Sequence, residues 1–280
     1  MVRAPQARAA YARSTEPATD TTTARRAAAI LWQHWRQRTC IDALPENVRP
    51  HTRAEGYAVQ REVQACAGQP LLGWKIAATS SAGQAHIGVD GPLAGRLLAD
   101  RTFPSGSEVS LAGNVMRVAE PEFAFTFARD LEPRPAPYAT REVLDAVASL
   151  HPAIEVPDSR YPDFVHAGAP QLIADNACAD YFLLGPPTHA DWRGLDLVAH
   201  RVSAQVVGRY AREGSGASVL GDPRVALTWL VNELSGLGVT LEAGQVVTTG
   251  TCMAPLEIDV GDVVRVDFGV LGSVEARFGR

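Results

Sequence analysis

Two glutamates two residues apart, Glu120 and Glu122, lie in the run Arg117-Val118-Ala119-Glu120-Pro121-Glu122-Phe123-Ala124-Phe125. The run reads as a strand. A strand's two-residue period puts both carboxylates on one face and Phe123, Phe125 and Phe127 on the other. Like charges side by side repel, and a cation resolves the repulsion. Because Glu-x-Glu is also common at solvated strand edges, a third acid matters. Glu155 supplies it from inside the apolar run Pro152-Ala153-Ile154-Glu155-Val156, and glutamate is rarely buried without a partner. Three carboxylates offer three hard oxygen ligands. That set suits Mg²⁺ or Mn²⁺ and leaves octahedral positions for the carboxylate and keto oxygens of a 2-oxo acid and for water.

Of the 26 basic residues, only Lys75 is a lysine. In a chain that uses guanidinium everywhere else, a single ammonium is a candidate for chemistry that a planar, permanently charged arginine cannot perform; the alternative is chance in a sequence biased toward arginine. Beside a metal, Lys75 would hold a substrate carboxylate or relay a proton, its pKa lowered by the metal charge. The segment Thr248-Thr249-Gly250-Thr251 offers N–H and O–H donors to a carboxylate, although an ordinary β-turn has the same composition. Asn176 reads either as an orienting group for substrate or solvent, or as a loop former.

Positioning these groups requires a scaffold. The 280 residues fit one large domain with a small appendage, and 46% hydrophobic residues suffice for its core. Residues 1–23 are rich in Ala, Arg and Thr, carry Pro5 and Pro17, and read as a disordered extension. Residues 24–72 read as a helical region: a first helix from about Thr23, which would cap it, then a second over 51–67 that Gly68 ends. From Gly73 the texture turns β-rich through residue 280. Strands are expected at 74–77, 122–127, 152–156, 181–184, 198–207, 245–249, 263–268 and 273–278, and helices at 140–150 and 223–236. Helices segregated from strands point to α+β. The net charge of −5 argues against a nucleic-acid partner. No apolar run approaches the ~18 residues of a membrane span. The four cysteines form no CxxC pair and fit reduced thiols in the cytoplasm.

Taken in order, Gly73-Trp74-Lys75-Ile76, the Glu-x-Glu strand, Ile154-Glu155 with Asp158-Ser159-Arg160, Asp175-Asn176-Ala177 and Thr249-Gly250-Thr251 resemble the bacterial 2-keto-4-pentenoate (2-hydroxypenta-2,4-dienoate) hydratases. They also resemble the related oxo-acid decarboxylases; both groups belong to the fumarylacetoacetate hydrolase fold superfamily. The resemblance runs from about residue 24 to the C-terminus. It implies a mixed β-roll core behind an N-terminal helical region, a Mg²⁺- or Mn²⁺-dependent site with Glu120, Glu122 and Glu155 as ligands, and a homo-oligomer. The implied activity is that of a carbon–oxygen lyase, hydrating a small unsaturated 2-oxo acid in the catabolism of aromatic compounds. Glutamate rather than aspartate at 155, and no match to the His–Glu pair of the C–C hydrolases, favour hydration over C–C hydrolysis. A decarboxylase or tautomerase would use the same enolate chemistry. A non-catalytic subunit paired with a paralogous decarboxylase or hydratase is a reading of a different class.

One departure stands out. Where these hydratases and decarboxylases have Asp in a Pro-Asp-(aromatic)-Gly stretch, this chain has Pro92-Leu93-Ala94-Gly95. Leu93 transfers no proton. His86, seven residues upstream, is a candidate acid–base substitute, unless it is only a partly exposed loop histidine, and Arg96 is a local cation for a second carboxylate on a dioic substrate.

Overall fold

The computed structural model describes residues 21–280, so all but the last three residues of the expected 1–23 extension lie outside the described residues. Residues 21–23 already belong to the first helix, α1 (Thr21–Gln37), so Thr23 lies inside it rather than capping it. The second helix, α2 (Arg53–Ala67), opens on a reciprocal capping box between Thr52 and Glu55 and stops at Gly68, left-handed at φ 64°. The apolar stripe of α1 (Ala27, Leu31, Trp35) packs on Val59 and Val63 of α2, and Tyr161 and Ala174 complete this smaller core.

Two sheets follow. The larger contains β1 (Leu71–Ala77), β2 (Leu93–Leu98), β3 (Thr102–Pro104), β5 (Val118–Phe127), β6 (Val147–Val156), β7 (Tyr181–Leu184) and β10 (Val246–Thr251), in the order β2-β1-β10-β5-β6-β7-β3, with β11 (Leu256–Glu257) paired to β5. The smaller contains β4 (Glu108–Ser110), β8 (Arg201–Val206), β9 (Tyr210–Ser215), β12 (Val263–Asp267) and β13 (Ser273–Gly279), in the order β4-β13-β12-β8-β9. Pairing is mixed: β1 runs parallel to β10 and β3 to β7, whereas β5 is antiparallel to both β6 and β10. Helices α3 (Ser81–His86), α4 (Thr140–Leu144), α5 (Ala169–Ala174) and α6 (Pro223–Gly236) interrupt the strands.

The expected helix over 140–150 stops at Leu144, and β6 begins at Val147. A buried strand between two others reads locally like a helix, because both are continuous apolar runs. Strand β2 was not expected at all. Its Leu-Ala-Gly-Arg-Leu-Leu segment is fully buried and shows no alternation.

Phe123, Phe125 and Phe127 point into the main core; Phe123 lies edge-on to Phe268 at 5.1 Å and Phe125 edge-on to Trp192 at 5.6 Å. The alternation that buries these rings turns Glu120 and Glu122 to the opposite face.

A candidate metal centre

Register builds the site. Glu120 on β5 is directly opposite Glu155 on β6, and Glu122 is two residues along the same face. Lys75 on β1 pairs with Thr248 on β10, which pairs with Ala124 on β5. Paired residues share a face, so four strands deliver Lys75, Thr248, Glu120, Glu122 and Glu155 to one patch. A ligand oxygen from each glutamate lies within 4.8 Å of the others.

Glu122 is fully buried. Its Oε2 accepts from Thr248 Oγ1 at 2.5 Å and from the Gly250 N–H at 2.7 Å. The β5–β10 register shifts between Thr248 and Thr251, and this bulge re-aims the Gly250 amide. Gly250 sits at φ 96°, where a Cβ would collide with Thr79, so only glycine fits. Lys75, 2% exposed, places Nζ 2.9 Å from Glu155 Oε1 and 3.0 Å from the Ala177 carbonyl. Glu155 Oε2 and Glu122 Oε1 are buried with no hydrogen-bond partner. Orphaned buried carboxylate oxygens are costly; here they converge, as the donor set of a divalent cation does. Glu120, partly exposed, marks the side from which solvent reaches the cluster.

Burial first, then the neighbouring Glu155 charge, pushes the Glu120 carboxyl up to about 7, and burial with Glu155 and Glu120 pushes Glu122 well above the carboxylate range. Burial acts to lower Lys75, but Glu155, Glu120 and Glu122 outweigh it and hold the ammonium above the usual lysine range. With the carboxylates alone around it, Lys75 therefore shifts opposite to the lowering expected from a metal charge. A carboxyl raised on folding favours the folded state below its unfolded pKa and loses that contribution as pH rises through the folded value. Metal-free protein should therefore lose thermal stability between about pH 4.5 and about 7, and saturating Mg²⁺ should flatten that slope. Identical slopes with and without Mg²⁺ would exclude the cluster as the cause.

Other expected site residues lie elsewhere. Thr249 donates to the Phe123 carbonyl and Thr251 to the Met253 carbonyl, and the Gly250 amide holds Glu122, so these three donors bond within the protein. Arg96 pairs with Trp74 in the β1–β2 register, one residue out of step with Lys75 and so on the opposite face. Its guanidinium stacks 4.5 Å over the Trp74 ring and bonds Gln64; burial first, then Arg61, lowers its pKa to about 10. Arg96 is thus directed away from the cluster, a correction to its expected contact with a second carboxylate. Asn176 spends its side chain on the Arg96 backbone, a structural contact in place of the expected one with substrate. His86, at the end of α3, is exposed and lies edge-on to Phe164 at 6.2 Å; no bond joins it to Lys75 or the glutamates. His86→Ala should therefore keep turnover within about threefold, against the 10²–10⁴-fold loss of a general acid–base group. A larger loss with an altered pH profile would restore the acid–base role.

The sequence reading missed the interplay of Asp175 and Arg160. Asp175 accepts from Ser159 Oγ, the Arg160 backbone and the Arg160 guanidinium, and Arg160 also reaches the Asp175 carbonyl. Both lay in recognised motifs, but nothing in their spacing said that they pair.

Residues 97–279 match the family described as fumarylacetoacetate (FAA) hydrolase C-terminal. The chain belongs to the fumarylacetoacetate hydrolase family. Within it, the chain is 33% identical to the 2-keto-4-pentenoate hydratase of Burkholderia vietnamiensis over 79% of this chain and 84% of that protein. It is 32% identical to the 2-oxo-hept-4-ene-1,7-dioate hydratase of Escherichia coli over 89% and 95%. A 4-oxalocrotonate decarboxylase from a Pseudomonas species is 34% identical over 74% and 78%. Among solved structures, 4-oxalocrotonate decarboxylase from Pseudomonas putida G7, complexed with magnesium and adipate, superposes with a TM-score of 0.84 at 27% identity over 94% of this chain and all of that one. Overall identity thus does not separate hydration from decarboxylation in this family. No helix among the described residues is long and apolar enough to cross a membrane.

Proposed function

We propose that the chain is a divalent-metal-dependent hydratase that adds water to a small unsaturated 2-oxo acid of the 2-keto-4-pentenoate kind, in the breakdown of aromatic compounds. The observation that carries this reading is the convergence of Glu120, Glu122 and Glu155 beside one buried ammonium, with carboxylate oxygens left unpaired. The hydratase relatives support the reaction class, and related structures with magnesium and with calcium support a divalent ion.

In this reading Glu120, Glu122 and Glu155 hold Mg²⁺ or Mn²⁺, which when bound supplies Lewis acidity toward a 2-oxo group and stabilises enolate charge. Thr248 and the Gly250 amide fix the orientation of the Glu122 carboxylate, as an outer shell does for a ligand. Lys75 has three N–H donors. Glu155 and the Ala177 carbonyl take two, and the third is free to hold the substrate carboxylate or pass a proton. By register Leu93, pairing with Ala77, shares the Lys75 face; it lines that side with apolar surface and offers no proton.

The decarboxylase reading rests on the same enolate chemistry and on the decarboxylase relatives. The test incubates purified protein with Mg²⁺ and 2-hydroxypenta-2,4-dienoate, following loss of the dienol absorbance and identifying the product. A 4-hydroxy-2-oxo acid is expected. CO₂ release from an oxalocrotonate-type diacid without hydration would make it a decarboxylase. No turnover alone, restored by a paralogue, would make it a partner subunit. We place the protein in the cytoplasm as a homo-oligomer, a reading supported by four free cysteines and by the family resemblance.

A further inference from the structure

We propose that Asn176 is a positioning residue for Lys75, acting through a two-point clamp on strand β2 and a left-handed turn; its functional consequence rests on the hydratase reading above. β2 is an edge strand of the larger sheet, and its outward backbone groups need partners. At Arg96 the Asn176 side chain supplies both. Oδ1 accepts from the Arg96 N–H at 2.7 Å and Nδ2 donates to the Arg96 carbonyl at 2.9 Å, so one amide stands in for a neighbouring strand. The preceding residue in β2, Gly95, is paired with Lys75. A Cβ on Gly95 would come within 2.5 Å of the Asn176 carbonyl and 2.9 Å of Lys75 Cδ. Only glycine lets the turn and the lysine stem close over this point.

Asn176, Ala177 and Cys178 are three successive non-glycine residues in the left-handed region, at φ 55°, 50° and 61°. Such a run persists only where its surroundings over-determine it. Each flank is tied down: Asp175 by Arg160 and Ser159, Asn176 by Arg96, and Cys178 by its carbonyl, which accepts from the Asp158 N–H at 2.9 Å. The Ala177 carbonyl is aimed at Lys75 Nζ, 3.0 Å away. Without it the ammonium keeps Glu155 as its one bonded partner and a flexible four-carbon stem. The clamp thus fixes the direction of the remaining N–H.

Asparagine also tolerates a left-handed φ better than most residues, which by itself would place it here. Asn176→Gly separates the two roles, because glycine keeps the backbone conformation and removes the clamp. Lys75 is the chain's only lysine, so protein labelled with ¹³Cε,¹⁵Nζ-lysine gives a single side-chain ammonium signal that reads Lys75 directly. The expected result is that this signal moves and broadens in both Asn176→Gly and Asn176→Ala. With it, kcat on 2-hydroxypenta-2,4-dienoate falls about 10- to 100-fold, the usual range for loss of an orienting partner, while Mg²⁺ affinity and KM stay within about threefold. Lysine signals in both variants that superimpose on the parent's overturn the clamp, as does parental kcat in Asn176→Gly. If the parent itself turns over no dienol, the hydratase reading fails and the lysine signal still decides the clamp.

Discussion

Glu122→Gln is expected to weaken Mg²⁺ and Mn²⁺ binding by at least about 100-fold in calorimetry, beyond the 10- to 100-fold typical of losing an outer-shell partner, while raising the melting temperature of the metal-free protein. The opposite signs come from one cause. Ionised together around one ammonium, three carboxylates would leave excess negative charge in a buried patch; keeping protons on them to avoid it costs stability above the ordinary carboxylate pKa, and a cation removes the same strain. A neutral amide of the same shape relieves it, keeps an oxygen for the Thr248 and Gly250 donors, and removes a ligand. Each kcal/mol relieved corresponds to roughly 2–4 °C in a domain near this size. Glu120→Gln should follow the same pattern. Glu155→Gln should lose metal affinity without the gain in stability, because it strips Lys75 of its ion-pair partner at 2.9 Å. Breaking such a pair costs about 3–5 kcal/mol. Parental metal affinity in all three variants would remove the proposed centre.

Lys75→Arg is expected to lower turnover by about 10²–10⁴-fold, the span associated with a lost acid–base or orienting group, while the chain still folds. Charge is conserved, so the effect isolates geometry and protonation. Lys75 is 2% exposed and its stem runs against Gly95, where even a methyl group would meet Cδ at 2.9 Å. A planar guanidinium has no room to place its fork between Glu155 and the Ala177 carbonyl, and it cannot release a proton near neutral pH. Overpacking should add about 1–3 kcal/mol of destabilisation, read as a lower melting temperature. Lys75→Met should instead destabilise metal-free protein and make its melting temperature more responsive to added Mg²⁺, because the competing cation is gone. Parental kcat in Lys75→Arg would reduce the lone lysine to a compositional accident.

The sequence by itself determined which groups share a face. A strand's period makes Glu120 and Glu122 neighbours and sends Phe123, Phe125 and Phe127 the other way, whatever the strand packs against. A glutamate within an apolar run, Glu155, announces a buried charge needing a partner. A single lysine among arginines is visible by counting. The stop at Gly68 and the helix from Pro223 to Gly236 are local chemistry and equally legible. Tertiary structure decided everything set by register between distant strands. Only pairing puts Glu155 opposite Glu120 and Lys75 beside Thr248. Only the one-residue offset on β2 turns Arg96 to the far side of the sheet from Lys75. Likewise, only the packing of residues 175–178 against β2 shows that Asn176 holds a strand and that the Ala177 carbonyl meets the lysine. These contacts join residues far apart in the sequence; Thr248 and Glu122, which meet in the same site, are 126 positions apart. Local patterning carries no record of them, because a face is a property of one strand and a site is a property of several.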